Sequence, residues 1–201
     1  MIPSTQEIAY RVFGSWLLAR FDRRGVQYFD ESTQAALRSF FAAVLVAPAF
    51  AVINLVYFSR SELVTEEPAP VVVLVFALYY CLLWVAPAVI FHRICLVIDR
   101  ESAFFRFLSA NNWTSVIVLH LELLVVLFNA SGIVPGAVTP LLTLIAYAYV
   151  LTYQWFITRH CLDVTPLAAV GFVVLQFIIG YLVSNIATGV IFQPGPPLPA
   201  A

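Results

Sequence analysis

The chain has 201 residues, of which 62% are hydrophobic and only 10% charged, and its formal net charge is −1. Soluble domains average about 45–50% apolar and about 25% charged residues, so this composition excludes an ordinary water-soluble domain. The near-zero charge and the lack of a large basic patch exclude a nucleic-acid partner, which would need many cations to neutralise phosphates.

Residues 1–37 form an N-terminal segment ahead of the apolar bundle. The stretch TQEIAYRVFGSWLLARFDRRG has neither the uninterrupted apolar run nor the small-residue cleavage site of a secretory signal. Ile8, Val12, Phe13, Trp16 and Leu17 recur at helical spacing among Glu7, Arg11 and Arg20. That pattern reads either as an amphipathic helix in the cytoplasmic interface or as a helix packed beneath the bundle. Gly25 is expected to break it. Asp30 or Ser32 is then expected to cap a second helix that runs through Arg38 into the first span.

Residues 38–191 read as an all-α bundle of five transmembrane helices. A span needs about 20 largely apolar residues, and five segments supply them: 39–58, 71–91, 113–133, 137–157 and 166–190. Residues 192–201, FQPGPPLPAA, are uncharged and proline-rich and read as a flexible tail. Positive residues stay on the cytoplasmic side of a membrane. All ten basic residues are arginine, and nine of them agree with a cytoplasmic N-terminus and a periplasmic C-terminus; only Arg60, beside Glu62, Glu66 and Glu67, falls on the other side. The expected location is thus a bacterial inner membrane, with the lipid bilayer as the first partner.

Two spans share a phrase, FFAAVLVAPA at 40–49 and YYCLLWVAPA at 79–88. Pro48 and Pro87 would cost about 3 kcal/mol each in a soluble helix, but are tolerated in a membrane, where neighbouring groups satisfy the freed carbonyl. Ala43, Ala47 and Ala51 make a small-residue stripe. The favoured reading is two kinked helices that pack through their alanines; broken helices around a transport site are the alternative. Gly180, Ser184 and Thr188 form a second small-residue stripe, expected to pack within the bundle, with a homo-oligomer contact as the alternative.

Three groups of residues could carry chemistry. His120 and Glu122 fall near the middle of the third span, and intramembrane ionisable groups are costly and point to function. The structural alternative is a protonated Glu122 hydrogen-bonded to Gln176, which lies at matching depth. The two residues are i and i+2 and so should not face each other. His92 with Cys95 and His160 with Cys161 make a weak zinc ligand set with no standard spacing, so no metal and no cofactor is assigned. Cys81 is expected to be buried in its span. Trp84, Trp113, Trp155, Tyr147, Tyr149 and Tyr153 read as an aromatic belt, with Trp113 and Trp155 as interfacial anchors. Phosphate-binding loops and catalytic motifs are lacking, so no catalytic residue is assigned and the chain is not read as an enzyme.

The runs FDRRGVQYFD, LRSFFAAVLVAPAF, ANNWTSVIV and YQWFITRHCLDV resemble a family of alphaproteobacterial inner-membrane proteins of similar length, some labelled as transporters. The architecture is more distantly similar to Yip1-type membrane proteins. The resemblance implies no particular site residues. Two functions stay open. A non-enzymatic scaffold or accessory protein, acting on a membrane-protein partner, is favoured because one carboxyl and one histidine make a thin polar path. A small transporter or transporter subunit using His120 and Glu122 is the alternative, and a cavity reaching Glu122 from one side would favour it.

Reporter fusions test the span count. Fusions at Glu66 and after Phe192 should report the periplasm, and fusions near Ser102 and His160 the cytoplasm; a cytoplasmic C-terminus would break the five-span reading.

Overall fold

A computed structural model describes residues 2–60, 63–133 and 135–194. Its helices are α1 (Thr5–Ala19), α2 (Thr33–Ser39), α3 (Phe41–Ser59), α4 (Ala69–Val97), α5 (Glu101–Ser131), α6 (Thr139–Cys161) and α7 (Pro166–Ile191).

The N-terminal segment folds back on itself. Ser4 caps α1 by accepting a hydrogen bond from the Glu7 amide at 3.1 Å. The helix stops at Ala19, well before Gly25, because Phe21 adopts a left-handed φ of 58°. Asp22 then caps a 3-10 turn, Arg23–Tyr28, by accepting from the Arg24 amide at 2.9 Å. Hydrogen bonds from the Arg24 side chain hold the Asp22 carboxyl below the usual carboxylate range. Gly25 is therefore not the breaker. It is where the turn returns against α1, and a Cβ there would lie 2.7 Å from both the Gly14 carbonyl oxygen and Leu18 Cγ. Of the two candidate caps, Ser32 is the one used, accepting from the Ala35 amide at 3.2 Å. Asp30 instead pairs with Arg11 at 2.6 Å. Arg11 is 6% exposed and also donates to the Tyr28 carbonyl, so its buried charge is matched.

Five helices are long and apolar enough to cross a membrane: Thr33–Ser59, Ala69–Val97, Glu101–Ser131, Thr139–Cys161 and Pro166–Ile191. α4 and α5 exceed the expected spans. They have 29 and 31 residues, about 43 and 46 Å at 1.5 Å per residue, against roughly 30 Å of hydrocarbon. Residues 92–112, which the sequence suggests as a connection, are helical apart from the turn at 98–100. Arg100, Glu101 and Arg106 interrupt the apolar run that marks a span, but they do not interrupt a helix. Phe104, Phe107, Leu108 and Ala110 are all buried in this extension.

α5 is the axis of the bundle and packs against α1, α2, α3, α4 and α6, while α7 leans on α4 and α6. The packed end is closed by Leu18, Phe107, Trp113 and Tyr153, none more than 1% exposed. Three hydrogen bonds fasten the N-terminal layer there. The Tyr153 hydroxyl donates to the Ser15 carbonyl at 2.7 Å, the Tyr149 hydroxyl to the Ala19 carbonyl at 2.8 Å, and Asn112 Nδ2 to Ser39 Oγ at 2.9 Å. α1 packs against the bundle, as the second reading expects, through one of its faces. Gly14, Ser15 and Leu18 pack inward, while Tyr10, Phe13 and Trp16 are about half exposed, at 49%, 50% and 51%. Large apolar side chains also cover the outer surface, with Leu78, Leu144 and Ile186 all exposed, as suits lipid rather than water.

The N-terminal segment and the α4–α5 and α6–α7 connections share one end of the bundle. Arg106 pairs with Glu31 and donates to the Cys161 carbonyl at 2.9 Å, Arg100 donates to the Asp163 carbonyl at 3.1 Å, and Arg38 pairs with Glu7 at 3.3 Å. At the opposite end Phe192 stacks on Phe58, and residues 63–64 pair antiparallel with 193–194, so the start of the expected tail is tied to the bundle. Glu62 and the remainder of that tail, 195–201, lie outside the described residues.

Gly25→Ala should lower thermal stability in detergent by about 1–3 kcal/mol, because a methyl group must displace backbone. Gly180→Ala, where a Cβ meets nothing within 4 Å, should leave the melting temperature unchanged. Equal melting of the two variants would contradict this packing.

Candidate functional site

The third span presents Glu122 to a cleft between α3, α5 and α6. One turn of α5 toward the packed end, Val118 forms its floor, and two turns the other way Asn129 stands on its wall. Seven residues separate Glu122 from Asn129, about 10 Å along the helix. The cavity has a volume of about 270 Å³. Tyr57 from α3 and Tyr147 and Thr143 from α6 complete the polar part of its lining, and valine and alanine side chains supply most of the rest. It runs along α5 toward the end opposite the arginine-rich one, with exposed Tyr57 and Tyr147 on its two flanks. Arg60 stands at that end and is tethered to the Ala130 carbonyl at 2.7 Å.

The polar groups on the wall are only partly satisfied. Asn129 Nδ2 donates to Thr143 Oγ1 at 3.1 Å, and Thr143 Oγ1 donates to the Thr139 carbonyl at 2.9 Å. The Asn129 Oδ1 atom is buried and has no hydrogen-bond partner. A buried acceptor left this way is costly, and a ligand donor would relieve it. Among the described residues no cation makes an ion pair with Glu122. A carboxyl in such a place requires either a proton or an incoming positive charge.

The structure separates the other candidates. His120 is exposed on the far side of α5, with Nδ1 2.6 Å from the Val116 carbonyl oxygen, so the i, i+2 pair diverges as helical geometry requires. Gln176 does not reach Glu122. It lines a second cavity, of about 130 Å³, with Tyr80, Trp84, Pro87, Asn111 and Ser115. Matching depth did not bring the two together because they sit on faces of the bundle that point into different cavities. Pro48 is exposed, and α3 and α4 meet through rings rather than alanines: Phe50 lies 4.6 Å from Tyr80 and Phe58 5.0 Å from Phe76. Ala47 and Ala51 face an open cavity beside these rings. The second stripe also leaves its helix open. α7 buries Phe172, Ile179, Ala187 and Ile191, whereas Gly180 has open space where a Cβ would stand, and Ser184 and Thr188 are only half-buried.

Further expectations are corrected. Trp113 is 1% exposed, a core residue rather than an anchor, and Tyr149 and Tyr153 serve α1 rather than a belt. Trp155 keeps a rim position, with Nε1 donating to the Pro166 carbonyl at 3.0 Å. Cys81 is exposed, while Cys95 and Cys161 are buried. His92 faces Glu101 at 4.0 Å and His160 packs on Phe156. Among the described residues no three metal-ligating side chains are grouped. Sequence reasoning missed Asn129 and Tyr57. Asn129 lies two turns from Glu122 on one helical face, a spacing that was visible; Tyr57 could be placed only by helix packing.

Together these features define the class: a helical protein with five helices of membrane-spanning length and apolarity and a cleft carrying Glu122 between three of them. No family model matches the chain, and no curated protein or solved structure is significantly similar to it.

Glu122 and Gln176 should be energetically independent. In a double-mutant cycle of Glu122→Leu and Gln176→Leu, the changes in thermal stability should add to within about 0.5 kcal/mol. A coupling near 1 kcal/mol or more would restore the direct bond.

Proposed function

We propose that this chain is a small non-enzymatic transporter, or the ligand-binding subunit of one, in a bacterial inner membrane. The observation that carries the reading is the cleft between α3, α5 and α6 that Glu122 lines. A scaffold would have no use for a carboxyl that makes no ion pair in the wall of such a cleft. The ligand carries a positive charge, or delivers a proton, to Glu122. Its apolar body lies along the valines, and Tyr57 and Tyr147 offer ring faces that attract cations. Asn129 Oδ1 accepts any N–H or O–H the ligand brings. Below Val118 the packed layer of Thr114, Trp113 and Tyr153 closes the path, so passage across requires that layer to open.

Gathering of nine arginines at one end supports a cytoplasmic N-terminus, which would set the Arg60 end of the cleft toward the periplasm. The resemblance to proteins labelled as transporters points the same way. The scaffold reading keeps one supporting observation, the open position at Gly180 on a helix with neighbours on only part of its surface. A membrane-protein partner or a second copy packed on α7 would use it.

The test uses a permanently charged aromatic ammonium. Benzyltrimethylammonium should bind the detergent-purified protein saturably, and Glu122→Gln should weaken it by roughly tenfold or more, while His120→Ala should not. Equal binding by wild type and Glu122→Gln would sink the transporter reading. Recovery of a stable partner complex from native membranes would then favour the scaffold.

A further inference from the structure

The arginine-rich end is not uniformly neutralised. Arg11, Arg24, Arg38 and Arg106 each pair with a carboxylate. Arg20, Arg23, Arg93, Arg100 and Arg159 have no such pair among the described residues, although Arg100 donates to the Asp163 carbonyl. Two of these five, Arg23 and Arg159, converge. Phe21 packs edge-on against Phe156, with centroids 5.5 Å apart, and Phe156 packs against His160 at 4.5 Å. These contacts set the start of the 3-10 turn beside the last turn of α6. Arg23 and Arg159 both lie within electrostatic reach of His160, and Asp163 is the one carboxylate acting there.

Arg159 also marks the top of an apolar groove. Its guanidinium carbon lies 5.3 Å from the centre of the Trp155 ring. From Trp155 the groove runs between α6 and α7 past Leu151, Val170, Val174 and Phe177, with a volume of about 540 Å³. Depth fits the same picture. Arg159 is twenty residues from the start of α6, about 30 Å along the helix, which is the thickness of the hydrocarbon layer. Val170 to Phe177 lie four to eleven residues into α7, about 6–17 Å below the rim. A phosphate at Arg159 and an acyl chain on Phe177 would each sit at its natural level.

We propose that the α6–α7 groove holds one anionic phospholipid, its phosphate gripped by Arg159 and Arg23 and an acyl chain lying along Val170, Val174 and Phe177. Arginine suits the task because its fork binds phosphate oxygens in pairs. Trp155 covers the junction between headgroup and chain. The apolar groove argues for a lipid over free phosphate, which needs no such surface. The groove takes Leu151, Thr152 and Trp155 of α6 whereas the Glu122 cleft takes Thr143, Ala146, Tyr147 and Val150, and the site does not depend on the Glu122 reading.

Lipid binding to the full chain in detergent decides the matter, by native mass spectrometry and by quenching of tryptophan fluorescence with brominated lipid. Dioleoylphosphatidylglycerol should bind saturably, and dioleoylphosphatidylcholine more weakly. The double variant Arg23→Gln, Arg159→Gln should lose roughly thirtyfold of the phosphatidylglycerol affinity and approach the phosphatidylcholine level, as expected for two interfacial cations. Val174→Trp, which fills the groove and leaves both arginines, should also abolish saturable binding while helicity by circular dichroism is unchanged. Equal affinity for the two lipids, or full binding by either variant, overturns the proposal. Displacement of the lipid by millimolar inorganic phosphate would reassign the arginines to a soluble anion and overturn the lipid assignment.

Discussion

Tyr153 makes the joint on which the other features rest. Its ring is fully buried, and its hydroxyl donates to the Ser15 carbonyl while lying 3.2 Å from Thr114 Oγ1. Three helices therefore meet at one polar atom in an apolar surround, where a hydroxyl without partners would be expensive. The joint fixes α1 across α5 and α6. It thereby turns Tyr10, Phe13 and Trp16 outward and brings Phe21 and Arg23 to the end of α6. It also completes the buried layer of Thr114, Trp113 and Tyr153 next to Val118, one turn of α5 from Glu122.

From this joint follows a bundle with two unlike ends. At the arginine-rich end the first third of α5 is surrounded by α1, α2, α4 and α6, and even its polar residues are buried, with Ser109, Asn112 and Thr114 among them. Toward Ser131 the layer formed by α1 and α2 is missing, and α5 is flanked more loosely. Cavities open where small side chains face one another at that level. The arrangement resembles a stopper with a loose upper half, and cavities are cheap there because lipid, unlike water, exacts no hydrophobic penalty for incomplete helix contact.

The two openings flanking α6 differ in chemistry. The one toward α3 and α5 holds a carboxyl, an amide and two phenols, and suits a cation or a proton. The one toward α7 is apolar below an arginine stacked on tryptophan, and suits an amphipathic anion. They can coexist on one helix because they use different residues around it, Thr143, Ala146, Tyr147 and Val150 toward the cleft and Leu151, Thr152 and Trp155 toward the groove.

How much of this could be read in the residues varies by element. The five apolar helices and the gathering of arginines followed from composition and spacing, because the cost of placing polar groups in lipid is large and local in sequence, while the cap was narrowed only to Asp30 or Ser32. Glu122 stood out for the same reason. The floor of the cleft, the separation of Glu122 from Gln176, the outward face of α1 and the burial of Trp113 did not follow. In water a helix announces its buried face by its apolar stripe. In α3, α4 and α7 nearly every position is apolar, so lipid-facing and bundle-facing sides look alike, and depth alone paired residues that point into different cavities. The sequence by itself determined that there are five long apolar helices and which ionisable groups they carry. Only the tertiary structure decided how each helix is turned about its axis, because that rotation is set by side-chain fit and a few interhelical hydrogen bonds, such as those of Tyr153 and Asn112, rather than by any periodic contrast along the chain.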